Sequence, residues 1–185
     1  MMKPSRRKSS VWHWLLMSVT ACLAGCGQIS DIQEKDKIMT TKQMTLWQAI
    51  EAVAQQIPFS KAKVETLFSA TLTETDNTSN DVFQFLKSNR IELKDDVDIS
   101  NIDLRIKRHG THPGFMVLEI GGACITLEQV RNHYSALEIT QSPRGSLADV
   151  TSHSTRLPWG DLSFSFAESN PRCLSSIAFD PKKDR

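Results

Sequence analysis

Residues 101–107, NIDLRIK, place Ile102, Leu104 and Ile106 on one side of an extended chain and Asp103, Arg105 and Lys107 on the other. A period of two with one polar phase is what a strand carries when one sheet face meets a core and the other meets water. Parallel sheets bury both faces, so this pattern restricts the chain to antiparallel sheet. Phe115 to Ile120 is apolar on both sides and reads as a more central strand. Further strand candidates lie at 71–75, 82–86, 137–140, 152–157, 162–166 and 174–179. Gly145, the turn Pro158-Trp159-Gly160 and Asn170-Pro171 separate the later ones.

Three short helices interrupt the strands. Thr45 fits an N-cap with Gln48 completing a capping box, and Leu46, Ile50, Val53 and Ile57 form one apolar stripe that Pro58 closes. Ser60 caps a second start, with Phe59 placed to staple onto Val64. Thr126 and Gln129 form another capping box, with Leu127, Val130 and Tyr134 on the inner side. The expected fold class is α+β, short helices packed on antiparallel sheet. At an offset of 66, Phe59-Ser60, Val64 and Phe68-Ser69-Ala70 overlie Ile125-Thr126, Val130 and Tyr134-Ser135-Ala136. Two tandem helix-plus-sheet repeats would produce this match, and so would helix-start chemistry used twice.

The chain begins MMKPSRRK, four basic residues and no acidic one, followed by a mostly apolar run from Val11 to Ala24. A helix of about 14 residues covers about 21 Å, short of a bilayer core of about 30 Å. The segment therefore reads as a signal peptide rather than a spanning helix. Leu23-Ala24-Gly25-Cys26 resembles the lipobox of bacterial lipoproteins, in which the cysteine sulfur receives a diacylglyceryl group and the chain is cut just before it. The resemblance implies a signal peptide over 1–25 and lipidation at Cys26. Gly27 and Gln28 follow instead of an inner-membrane-retaining Asp, which implies an outer-membrane anchor facing the periplasm. Residues 29–43 are polar and lack a consistent apolar face, so 26–43 reads as the lipidated N-terminus and a flexible tether. Residues 44–185 then form the periplasmic domain.

Cleavage would leave 160 residues with 18 basic against 21 acidic, a balance that gives no support to nucleic-acid binding. It also removes Cys22 and commits Cys26, leaving Cys124 and Cys173. Two remaining cysteines in an oxidising compartment point to a disulfide rather than a metal pair, and neither has a C-x-x-C neighbour.

His109 and His112 lie in a Gly/Pro loop with no nearby cysteine or carboxylate to complete a metal site, His133 suits a helix C-terminus, and His153 has no evident partner. No nucleophile elbow, zinc-protease motif, phosphate loop or dinucleotide fingerprint occurs, so no enzyme activity, metal or cofactor is expected. Two loops remain as recognition candidates. Trp159 either packs over the sheet edge or is presented to a partner, and Arg144 in SPRGS is either a solvated loop residue or an anchor.

The element order and the lipobox resemble the periplasmic immunity lipoproteins of type VI secretion systems, and the possible pair of repeats resembles the fold of the beta-lactamase inhibitor protein family. The resemblance implies a membrane-anchored protein that binds a protein partner, an inhibitor or immunity protein neutralising a toxin or effector. The alternative is an envelope-assembly or scaffold lipoprotein, in line with a more distant resemblance to the small outer-membrane assembly lipoproteins. No binding residue transfers on element order alone.

Overall fold

The computed structural model describes residues 41–75 and 80–182. The leader, Cys26 and most of the tether lie outside the described residues. Thr41–Gln43, the end of the expected tether, forms a 3-10 turn, and Lys42 within it pairs with Glu92 at 3.0 Å.

The described residues form a mixed α+β fold that is mostly sheet. Helices α1 (Leu46–Ala54), α2 (Lys61–Phe68) and α3 (Leu127–His133) start where the capping chemistry dictates. Thr45 and Thr126 each accept from the backbone N–H three residues on, and each receives the returning Gln side chain, closing both capping boxes. Ser60 accepts from the Lys63 N–H, and Ser69 ends α2 in a left-handed conformation.

Nine strands make one antiparallel sheet: β1 (Leu72–Glu74), β2 (Phe83–Ser88), β3 (Ile91–Glu92), β4 (Val97–Lys107), β5 (Phe115–Gly122), β6 (Glu138–Gln141), β7 (Val150–Leu157), β8 (Gly160–Ala167) and β9 (Leu174–Pro181). The spatial order is β1-β2-β4-β5-β9-β8-β7-β6, with β3 folded back on β4. After β5 the chain crosses through α3 to the far edge, and β6 to β9 then meander back until β9 pairs with β5.

Register fixes what each face carries. Directly paired residues point to the same side. Leu86, Leu104, Met116, Phe179, Leu162 and Thr155 are successive partners from β2 to β7 and form one inner row. All five apolar members are fully buried, and the stripes of α1, α2 and α3 (Leu46, Ile50, Val53, Val64, Phe68, Val130) join the same core. Phe59 meets Phe179 edge-on at 6.4 Å, and Tyr134 packs on Phe164 at 5.1 Å. Trp47 of α1 stacks on His133 of α3 at 3.9 Å, which gives that histidine a packing role at its helix end.

Cys124 and Cys173 stand at disulfide distance, with Cα atoms 5.0 Å apart, inside the range of about 4.4–6.8 Å that such a bond spans. They join the approach to α3 to the start of β9, where Leu174 N–H also donates to Ile125 O at 2.8 Å.

His153 lies on the inner side of β7, opposite Phe164, edge-on to Phe166 and 7% exposed. Burial pushes its imidazole below the ordinary value of 6.5, and Arg131 adds to the shift. A lowered histidine pKa means the unfolded chain binds the proton more readily. The stability His153 contributes is therefore complete above about pH 6.5 and is lost as pH falls through the lower folded-state value. Glu65, Glu74, Glu92 and Asp149 are held below their ordinary values by hydrogen bonds, so they lose their contributions only at lower pH. Unfolding free energy is expected to drop as the pH falls below about 6.5, and His153→Leu is expected to flatten that drop. An equal slope in the variant, measured by denaturant titration, would remove His153 as its source.

Candidate functional site

The outer sheet face carries the phase of each strand that points away from the core, polar on some strands and aromatic on β2 and β5. One row on it runs parallel to the inner row, displaced by a single residue. Phe85 of β2 pairs with Arg105 of β4, Arg105 with Phe115 of β5, and beyond β5 Asp180 of β9 pairs with Asp161 of β8 and Asp161 with Arg156 of β7. The row thus reads aromatic, cation, aromatic, anion, anion, cation.

Its first half is a rigid stack. The Arg105 guanidinium lies 5.6 Å from the Phe85 ring centre and 5.3 Å from that of Phe115. Its Nε and Nη2 donate to the two Asp103 oxygens at 3.3 and 2.8 Å. That bidentate bond is the main cause of the raised Arg105 pKa, so the group is always charged. His112 extends the aromatic cluster by meeting Phe83 edge-on at 5.3 Å, while its Nδ1 accepts the Gly114 N–H at 3.0 Å. Three half-buried phenylalanines and a locked arginine on an outer sheet face form an unusual surface, since aromatic and Arg side chains are the usual anchors of protein interfaces.

Its second half has a floor of small side chains. Ala178, Ser163 and Ser154 are successive partners in the adjacent row, and Ser165 and Ser152 pair in the next. Hydroxyls tie the strands together: Ser152 to Ser165 at 2.9 Å, Ser154 to Ser163 at 2.7 Å, and Thr140 to Ser154 at 2.6 Å. Because these side chains are short, the face sinks into a hollow of about 630 Å³ between β6 and Phe115, rimmed by Glu138, Arg156, Asp161 and Asp180. A second hollow of about 320 Å³ lies over Phe83, Phe85, Arg105 and His112. Phe115 and Asp180 line both and form the ridge between them.

The two loop residues singled out by sequence stand elsewhere. Trp159 stacks on Phe179 at 5.9 Å and lines a recess with Ile50, Tyr134 and Leu162, so its ring packs on the inner, helical side. Arg144 is exposed in the β6–β7 loop, where its backbone N–H donates to Asp149 at 2.6 Å. The sheet register brings neither of them into the outer row. Arg105 was visible as a wet-face residue of NIDLRIK, but Phe85, Phe115, Asp161 and Asp180 come together only through pairing. Among the described residues, no group of three or more His, Cys, Asp or Glu is placed to hold a metal ion.

No protein-family model, curated protein or solved structure matches the chain.

Proposed function

We propose that the protein is a lipid-anchored, periplasm-facing lipoprotein that binds another protein through the outer face of its sheet, most concretely an inhibitor or immunity protein that neutralises a toxin or effector without catalysing a reaction. The observation that carries the reading is the Phe85–Arg105–Phe115 stack beside a hollow floored by serine and alanine. Such a face offers preorganised anchors and a recess at little ordering cost, because the sheet already fixes each side chain. The disulfide between Cys124 and Cys173 belongs to the same reading, since oxidising compartments favour it.

The strand order supports a tandem origin. β1, β2, β4 and β5 follow α2 as one meander, β6 to β9 follow α3 as another, and their last strands pair antiparallel at the centre. Two copies related by a local two-fold axis would meet in that way. The buried pairs Phe59 with Ile125 and Val64 with Val130 fall at matching places before and within α2 and α3.

Two measurements test the function. Cys26→Ser is expected to leave an unprocessed or mislocalised precursor, whereas normal processing and detergent-phase partitioning of that variant would sink the anchor. The full chain, expressed in the envelope, is expected to capture the product of an adjacent toxin or effector gene and to rescue cells from it. Capture of resident envelope-assembly proteins alone, without rescue, would instead favour a scaffold lipoprotein.

A further inference from the structure

The outer row is electrostatically uneven. Arg105 is engaged by Asp103 and by two rings, and Arg156 donates to Asp161 at 3.1 Å. Asp180 is exposed and directly opposite Asp161 on the neighbouring strand. Like charges in directly paired positions destabilise an antiparallel sheet, and the Asp180 carboxylate makes no hydrogen bond or ion pair among the described residues. Both cations of the row are therefore satisfied internally, while one carboxylate is left over at the ridge between the two hollows. Local conflicts of this kind concentrate where a surface is kept for function.

Resting on the protein-binding reading, we propose that the outer face docks a partner protein through a lysine or arginine side chain that enters the larger hollow beside Asp180, next to an apolar side chain seated on Phe115. The cation relieves the repulsion between Asp161 and Asp180, and Phe115 shields the contact from water, which strengthens it. Arg105 holds the ring of Phe115 from the other side, so the apolar seat is preorganised. A second copy of this chain fits less well, because its outer face would bring the same surplus carboxylate. The larger hollow, about 630 Å³, has room for that side chain together with part of the loop that carries it.

The test uses the full chain purified in detergent and panned against random peptides displayed on phage, with enriched peptides then synthesised and titrated. Enriched sequences are expected to place Lys or Arg beside an aromatic or branched apolar residue. Asp180→Lys is expected to weaken their binding about tenfold or more, as is Phe115→Ala. Because Asp180 is exposed and the new lysine would face Asp161, Asp180→Lys is expected to keep or slightly raise the wild-type thermal midpoint, which separates lost recognition from lost folding. Peptides without a basic residue, or binding indifferent to Asp180→Lys, would overturn the proposed chemistry and leave the outer face as a protein-binding surface. A concentration-dependent dimer abolished by Asp180→Lys would make a second copy the occupant and overturn the proposal. If no peptide is enriched and no partner is captured, both the proposal and the protein-binding reading fall.

Discussion

Replacing Cys124 and Cys173 together with serine is expected to lower stability by about 4 kcal/mol, with a range of about 2–5. The pair spans 49 residues of sequence, and a cross-link over a loop of that size removes much of the freedom of the unfolded chain in the chain-entropy account. Its position adds a native-state effect. The link ties the approach to α3 to the start of β9, the strand that joins β6–β8 to β5. For a domain of this size the loss corresponds to a fall in Tm on the order of 10 °C. Thermal unfolding with and without reductant checks it: wild-type protein under reductant should match the double variant. Equal midpoints in oxidised, reduced and variant protein would show that the link adds nothing to stability, and free thiols in protein taken from the periplasm would show that the two cysteines carry no bond.

What could be read from the sequence follows from how local each signal is. The helix starts at Thr45, Ser60 and Thr126 depend on side chains reaching N–H groups within one turn, so their chemistry is written in adjacent residues. The strands around NIDLRIK and LSFSF depend on alternation, which also needs only a few neighbours. β3 escaped because Ile91–Glu92 is too short to show a period and is held by pairing with Asp98 and Ile99. The same is true of the start of β4, where Val97 and Ile99 are buried inside an acid-rich stretch whose charges mask their alternation. Asp98 is an example: it is buried although charged, and Arg90 on the β2–β3 side compensates it at 2.8 Å.

The outer row could not be read in advance, because no stretch of sequence contains it. Phe85, Arg105 and Phe115 come from consecutive arms of one meander, while Asp180, Asp161 and Arg156 come from the other. Their adjacency exists only once β5 and β9 are paired in register. A one-residue slip would send Asp180 inward and Phe179 outward. Trp159 shows the converse. A tryptophan between Pro158 and Gly160 looks presentable in a turn, yet the two-residue hairpin aims it back over Phe179, where its ring has more apolar surface to cover. Aromatic residues in turns thus report their role only when the side of the sheet they fall on is known.

Phe179→Ala is expected to be the most damaging single substitution in the core, at about 3–5 kcal/mol. Its ring is fully buried, flanked by Met116 and Leu162 on the adjoining strands, met edge-on by Phe59 at 6.4 Å and stacked by Trp159 at 5.9 Å. The neighbours arrive from two strands, a loop before α2 and a hairpin turn, so no single shift can refill the space, and the cost should include a residual cavity as well as lost apolar burial. Asp180, the next residue, points to the opposite face, and the two positions separate folding from recognition. Phe179→Ala should lower the denaturant midpoint strongly, while below that midpoint the folded fraction keeps its affinity for basic peptides. Asp180→Lys should do the reverse, leaving the midpoint no lower and losing the affinity. Denaturant titration and peptide titration on the same two variants decide the matter. A Phe179→Ala protein with wild-type stability would mean that β9 is not packed at the centre of the core, and the register that builds the outer row would fall with it.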